Sequence, residues 1–237
     1  MVHALAESGQ MYRVSVVAGA AAIRALVARS GNKTLILLID FLWQTGLRIG
    51  EALALDPCHI DLARRTVTVE RRIYKGSFAS PKSKYGTRSV PLSIEMTERL
   101  RDYFRNIKFD EPVFQSQAGN RVSYHGASRW FRDAKRGSTI KRVDDAGVER
   151  EEPLEWATLH TLRHTCASLL LRRVENDGLG LNAREAQHWL GHHSVAFTMD
   201  TYATFFDDDL PSADGFDEVV ARMKKKAAPT LHVVEPD

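Results

Sequence analysis

Cysteine is scarce in this sequence, and membrane spans and a strong excess of either charge are missing from it. Two cysteines in 237 residues, Cys58 and Cys166, are too few for a disulfide framework. One bridge is conceivable, but a reduced cytoplasmic chain is the simpler expectation. Long apolar runs are missing too. The longest, Val14 to Ile23 and Leu35 to Trp43, fall short of the roughly 20 residues that span a bilayer, and Asp40 interrupts the second. The first could imitate a secretory core, yet Glu7 precedes it, Arg24 follows at once and no small-x-small cleavage site intervenes. Neither a membrane nor a secreted protein is expected. Low-complexity tracts and internal repeats are also lacking. At 43% hydrophobic and 27% charged, the chain is apolar enough to bury a core and too apolar for disorder.

The net charge is only +3, from 33 Lys+Arg against 30 Asp+Glu, but it is unevenly spread. Residues 64–105 hold eleven basic side chains and four acidic ones, and 121–142 hold seven and one. Residues 143–155 carry six acids and one base, and 207–218 six acids and no base. A basic middle beside acidic segments is the footprint of a polyanion binder rather than of a neutral scaffold.

Periodicity and punctuation divide the chain. Ile23, Leu26 and Val27 stand at helical spacing before Ser30-Gly31-Asn32. Lys33 to Leu55 reads as two helical runs broken at Thr45-Gly46 and stopped by Asp56-Pro57. Arg65 to Tyr74 alternates and is β-branched, and with Thr87 to Leu92 it predicts a β-hairpin with a basic connection. Helices are expected from Ser93, with Ser93 as N-cap, over 123–136, and over 158–174. Asn182 should cap another helix that stops at Gly191. Gly137 to Pro153 reads as a polar charged loop, and Phe216 to Lys226 as a helix in the tail. The expected fold class is α+β and mainly α, with a small antiparallel sheet made of the hairpin plus one strand.

Five islands carry chemistry. They are Thr45-Gly46-Leu47-Arg48-Ile49-Gly50-Glu51, the hairpin with Lys82 and Lys84 ending at Arg88, His160-Thr161-Leu162-Arg163-His164, Leu190-Gly191-His192, and Tyr202. Breaking a phosphodiester without a metal requires other cations on its oxygens, and the arginine fork matches phosphate geometry while staying protonated. Arg48 and Arg163 could supply this. A tyrosine hydroxyl can conserve the bond energy as a phosphotyrosine, but its pKa near 10 demands help with the proton. His160 and His192 are candidates for that help, and a lysine on a hairpin could protonate the leaving oxygen. His160 and Arg163, three apart, share one helix face. A bland reading exists for each island alone: Arg48 as a surface arginine, Tyr202 as a half-buried aromatic, His164, His188 and His193 as packing or capping residues. The i,i+4 pairs His160/His164 and His188/His192 also admit a zinc reading, although no HExxH is present and the cysteines are not clustered with the histidines.

The strings TGLRIGEAL, PKSKYGTRSVPL, HTLRHT and LGHHSVAFTMDTY resemble, in order, the four signature regions of the tyrosine recombinases, the phage-integrase family. The match covers residues 31–206. It implies a catalytic domain over that span, a lead-in or linker over 1–30, and an acidic linker with a tail helix over 207–237. It implies that Arg48 and Arg163 bind the scissile phosphate, that His160 and His192 occupy the two histidine positions, and that Tyr202 is the nucleophile. Lys82 is favoured as general acid over Lys84, and Glu51 stands where relatives carry an acid that supports the site. Lys84, Arg88, Arg129, Arg132, Lys135 and Arg136 are the expected DNA-binding residues. The implied reaction is site-specific DNA strand exchange with no metal and no other cofactor. The implied partners are double-stranded DNA attachment or core sites and further copies of the chain, in a tetramer joined through the C-terminal tail. No membrane is involved, and a host bending or directionality factor would fit. A type IB topoisomerase-like relaxing enzyme and a catalytically inactive DNA-binding relative are the alternatives. Because family integrases carry a separate core-site-binding domain ahead of this region, the chain is expected to be either a catalytic piece or an unusually short member.

Overall fold

The computed structural model describes residues 16–81, 84–143, 149–172, 174 and 178–202. Its centre is a helix that the sequence makes apolar on nearly every face. Along α2 (Lys33–Thr45), Leu35, Leu37, Leu38, Ile39, Phe41 and Leu42 are all buried. A helix apolar all round needs neighbours on every side. α1 (Val16–Arg29), α5 (Tyr124–Lys135) and α6 (Leu159–Leu171) supply them. Phe41 meets Phe114 edge-on, with ring centroids 5.6 Å apart. At about 1.5–3 kcal/mol per large side chain taken out of water, this row is the main source of cohesion. The helical spacing read at Ile23 and Val27 is present in α1, and both residues belong to the same core.

Asp40 is the exception on α2. An unpaired carboxylate there would cost several kcal/mol of desolvation. It is matched instead by Arg24 Nε of α1 at 2.6 Å, Arg99 Nη1 at 2.5 Å and Trp43 Nε1 at 3.3 Å. Arg99 comes from α4 (Ile94–Phe104), which opens as expected with Ser93 Oγ accepting from the Met96 amide at 3.1 Å. One carboxylate thus ties three helices together.

The sheet differs from expectation in one respect. β1 (Ile60–Asp61), β2 (Thr66–Val69) and β5 (Arg88–Pro91) form an antiparallel sheet in the order β1-β2-β5, with Val67 opposite Val90. The strand expected over 65–74 breaks after Val69. Beyond the break, β3 (Arg72–Tyr74) and β4 (Ser77–Ala79) form a nested hairpin around Lys75-Gly76. Lys75 takes a left-handed φ of 50°, which a two-residue loop matched to strand twist requires. The hairpin is anchored at its base by Phe78, which lies 4.2 Å from the Arg71 guanidinium and 5.1 Å from that of Arg121. Both arginines also bond Asp56.

The loop expected over 137–153 is corrected. β6 (Thr139–Val143) and β7 (Glu149–Pro153) pair antiparallel, with Thr139 opposite Pro153 and Lys141 opposite Glu151. Nothing apolar alternates there, so the pattern that betrays a half-buried strand is missing. The fold class stands as α+β and mainly helical, but with three small antiparallel sheets among the described residues instead of one.

The helices that close the molecule follow their punctuation. α7 (Ala183–Leu190) is capped by Asn182, whose Oδ1 accepts from the Arg184 and Glu185 amides at 3.0 Å each. It ends at Gly191, and α8 (Val195–Tyr202) follows. Ala186 and Leu190 of α7 pack with Cys166, Ala167, Leu170 and Leu171 on the far face of α6, forming a second apolar cluster. Among the described residues no helix is long and apolar enough to cross a membrane. Lys82 and the tail over 207–237, with its expected helix, lie outside the described residues.

Candidate active site

The expected islands meet where the two apolar clusters join. α2 ends at Gly46, whose φ of 63° is left-handed. A Cβ at Gly46 would lie 2.7 Å from Leu190 Cδ2 and 2.9 Å from Cys166 Sγ, so only glycine lets α2, α6 and α7 close on one point. The turn delivers Arg48 as N-cap of the short α3 (Ile49–Ala52). Glu51, one turn on, accepts from the Arg48 amide and from Arg48 Nη1, each at 3.0 Å. Its Oε2 also accepts from Arg88 Nη2 at 2.9 Å.

Glu51 is 2% exposed. Burial pushes its carboxyl up, but the charge and hydrogen bond of Arg88, with Arg48 and Arg163 behind, outweigh burial and hold it below the usual carboxylate range. It therefore stays ionised and orients the arginines around it.

Arg88 corrects an expectation. It was expected to face DNA, yet its side chain is 0% exposed. Its Nε donates to the Trp189 carbonyl at 2.8 Å and its Nη1 to the Gly86 carbonyl at 3.0 Å. With Nη2 on Glu51, the guanidinium is committed inward and joins β5 to α3 and α7. Gly191, at φ 67°, completes the fit, because a Cβ there would stand 2.7 Å from Arg88 Nη1.

Arg163 and Arg48 converge on consecutive carbonyls. Arg163 lies buried on α6, and its Nη1 and Nη2 donate to the carbonyls of Gly46 and Leu190. Arg48 Nη2 reaches the Gly191 carbonyl at 3.5 Å, with 40% of its side chain exposed. The next residue, His192, is buried and sets its Nδ1 2.8 Å from Thr198 Oγ1. Burial, then Arg163, Arg48 and Arg88, push the His192 pKa down to about 3, so its ring is neutral at any working pH.

His160 lies one turn before Arg163 at the exposed edge of the site, with its ring 4.7 Å from that of His164 and perpendicular to it. Burial of its inner part, then Arg163 and Arg48, lower the His160 pKa. Burial, then His160 and Arg163, lower that of His164 to about 4. Tyr202 is the last residue of α8, which packs on α7. Lys84 begins the short turn Lys84–Gly86 ahead of β5.

The remaining basic residues divide. Arg129, Arg132 and Arg136 on α5 are exposed, Arg136 in an ion pair with Asp133 at 2.8 Å. Lys135 was expected to face DNA, but its Nζ donates to the carbonyls of Leu154 at 3.1 Å and Ala157 at 2.6 Å, where it secures the turn before α6. Among the described residues no group of three or more His, Cys, Asp or Glu is placed to hold a metal ion.

Sequence reasoning missed two contributors. Trp189 Nε1 donates to the Thr45 carbonyl at 3.0 Å and fixes the end of α2 from α7. Thr198 is wholly buried against His192. Neither has a one-sequence signature, although an indole beside LGH is a candidate worth testing in any such reading.

Comparison with known proteins places this arrangement. The phage integrase family profile matches residues 20–208. The transposase of transposon Tn916 from Enterococcus faecalis is 26% identical over 84% of this chain and 45% of its own length. The tyrosine recombinase XerC of Bifidobacterium longum is 27% identical over 68% of this chain and 41% of its own. The chain thus spans less than half the length of these relatives. In structure, it is similar to the Tn1549 transposon integrase in complex with circular intermediate DNA, with a TM-score of 0.59 and 22% identity, covering 86% of this chain and 64% of that one. It is also similar to a lambda integrase dimer bound to a COC′ core site, with a TM-score of 0.54 and 21% identity over 86% and 50% of the two chains. At such identities the structural likeness is one of fold. The profile match takes in all five islands, from the Thr45-Gly46 turn to Tyr202, and the chain belongs to the phage integrase family.

Proposed function

We propose that this chain carries the catalytic centre of a site-specific DNA recombinase, which cleaves and rejoins strands through a 3′-phosphotyrosine at Tyr202. The observation that carries the reading is the convergence on residues 190–192. Leu190 receives Arg163, Gly191 receives Arg48 and His192 follows, so two guanidiniums and a neutral imidazole are gathered by three consecutive residues. Among the described residues Arg48 and Arg88 share one carboxylate, Glu51, which leaves a surplus of positive charge suited to a phosphodiester.

In this reading Tyr202 Oη attacks phosphorus, forming the P–O(Tyr) bond and breaking the bond to the 5′-oxygen. Arg48 and Arg163 hold the non-bridging oxygens as charge grows in the pentacoordinate transition state, and His192 donates a hydrogen bond to it. His160, kept neutral by burial and its arginine neighbours, takes the tyrosine proton. Lys82, with Lys84 as the second candidate, protonates the departing 5′-oxygen. A 5′-hydroxyl from a partner duplex then reverses the step, so the energy of the broken bond is conserved and no nucleotide is consumed. Glu51 and Arg88 act through the arginines and are positioning residues.

The substrate is double-stranded DNA carrying attachment or core sites, in a bacterial cytoplasm, for integration or excision of phage or mobile-element DNA. The exposed Arg129, Arg132 and Arg136 follow its backbone. Strand exchange uses several copies of the chain, with the C-terminal tail as their contact and a host bending or directionality factor as accessory. The fold likeness to DNA-bound integrases supports this partner.

The test is covalent trapping. Nicked duplexes tiled across the DNA flanking the gene are incubated in EDTA with wild type and with Tyr202→Phe. An adduct with wild type alone is expected. An adduct with the Phe variant, or one that forms only when divalent metal is supplied, overturns the assignment.

A further inference from the structure

Between β4, which ends at Ala79, and β5, which begins at Arg88, runs the segment that carries Lys82 and Lys84. Pro81 and Gly86, five positions apart on its two sides, meet. A Cβ at Gly86 would overlap Pro81 Cβ outright and stand 3.2 Å from Pro81 Cγ and 3.4 Å from its Cα. Gly86 is buried and is not among the glycines with a left-handed φ. Space, not backbone conformation, is therefore what asks for a residue without a side chain there. Resting on the function proposed above, we infer that Gly86 is a positioning residue for the general acid. By seating Pro81, it fixes where the lysine-bearing segment leaves and rejoins the sheet, and so where the departing 5′-oxygen finds its proton.

The seat is tied to the phosphate pocket. The Gly86 carbonyl accepts from Arg88 Nη1 at 3.0 Å. Nη2 of the same guanidinium donates to Glu51 at 2.9 Å, the carboxylate that also takes Arg48. A planar fork with no exposed surface thus connects the far end of the segment to the holder of the phosphate-binding arginine.

The near end is referenced to the same place. Gly50 lies between Arg48 and Glu51 on α3, and a Cβ there would stand 2.7 Å from the Ile73 carbonyl of β3. Arg72 Nε, also on β3, donates to the carbonyl of Ser80, the residue before Pro81, at 3.1 Å. Both flanks of the segment are therefore measured from the short helix that presents Arg48. A displacement of about 1 Å can cost about 10²-fold in a positioned reaction, so a proton delivered to one oxygen needs such a reference.

The experiment separates proton delivery from phosphate binding by changing the leaving atom. In the duplex found by tiled trapping, sulfur replaces the 5′-bridging oxygen of the scissile phosphate. Tyr202 Oη still bonds to phosphorus, the P–S bond breaks, and its electron pair leaves on sulfur as a thiolate that needs no proton. Adduct formation by the full chain is timed on both duplexes. Lys82→Met and Lys84→Met give the reference, since the variant that has lost the general acid slows on oxygen alone. Gly86→Ala is expected to slow about 10- to 100-fold on oxygen and to stay close to wild type on sulfur. Pro81→Gly removes the ring instead of crowding it and adds no atom. It should show the same pattern more weakly, and it carries the test if the alanine variant does not fold. Equal slowing on both duplexes in a folded variant means that the contact serves the arginine pocket or the fold alone, and overturns the inference. Wild-type rates on oxygen in both variants do so too. A wild type that forms no adduct with either duplex overturns the proposed function, and this inference with it, whereas an active wild type puts the inference alone at stake.

Discussion

Two buried carboxylates, each bonded by two arginines, lie eleven positions apart, and they do different work. Asp40 is held by Arg24 and Arg99, and Glu95 approaches the same two guanidiniums at 3.7 and 4.0 Å. Two acids meet two bases, and that cluster is electrically closed. Glu51 is held by Arg48 and Arg88, with Arg163 also acting on it, and among the described residues no second acid pairs with Arg48 or Arg88. That cluster is open. It has assembled more positive charge than it neutralises, and the histidines beside it are kept uncharged. The lesson is that pairing alone does not distinguish a structural ion cluster from a binding site. The charge balance does.

The largest effect expected concerns what each carboxylate supports. Glu51→Gln leaves Arg88, which has no exposed surface, without its counter-ion and should cost about 3–5 kcal/mol. Asp40→Asn should cost less, about 1–3 kcal/mol, because Arg24 and Arg99 keep 39% and 30% of their side chains in water and can turn outward. Urea midpoints decide it, and equal losses would erase the distinction. Next in size is Arg48→Ala, which should slow adduct formation by about 10²-fold or more with little change in stability. Arg24→Ala should do the opposite, lowering the melting temperature and sparing the adduct.

A third test uses pH. His164 and His192 have folded pKa values of about 4 and about 3, below the ordinary value near 6.5. Between pH 6.5 and 4 the unfolded chain therefore binds protons that the native site refuses, so stability falls as pH falls through that window. A loss of about 2 kcal/mol is expected after allowance for partial exposure of His164, with His164→Gln showing a shallower slope. A flat profile would mean that burial and the neighbouring arginines do not hold these rings neutral. The smallest effect sharpens the contrast most directly. Sulfate at about ten times its dissociation constant should stabilise wild type by about 1.4 kcal/mol over chloride of equal ionic strength. Arg48→Ala should abolish that shift and Arg24→Ala should retain it.

Much of this was legible in the sequence, for identifiable reasons. The break at Thr45-Gly46, the caps at Ser93 and Asn182 and the stop at Gly191 are local signals, and the structure realises each of them. The grouping of Arg48, Arg163, His160 and His192 followed from motifs that travel together. Arg88 was misread because it closes a basic hairpin that also carries Lys82 and Lys84, and a basic hairpin reads as a solvated face until packing is known. Lys135 failed for the same reason, since its two carbonyl partners lie nineteen and twenty-two residues away. Thr198 was silent because its partner lies six residues back across a turn, a spacing that belongs to no periodic element. The pair β6 and β7 was silent because strand patterning is a burial signal, and this hairpin is built largely from charged residues.

The nested hairpin of β3 and β4 has a consequence for anyone re-engineering the chain. Its fixed joint is at the base, where Phe78, Arg71, Arg121 and Asp56 interlock. Its tip, Lys75-Gly76, is exposed and lies beyond the last strand pair, Tyr74 opposite Ser77. Reach and attachment are thus separate parts. A change of length between Tyr74 and Ser77 is therefore expected to leave the interlocked side chains at the base in place, which a melting temperature close to wild type would check.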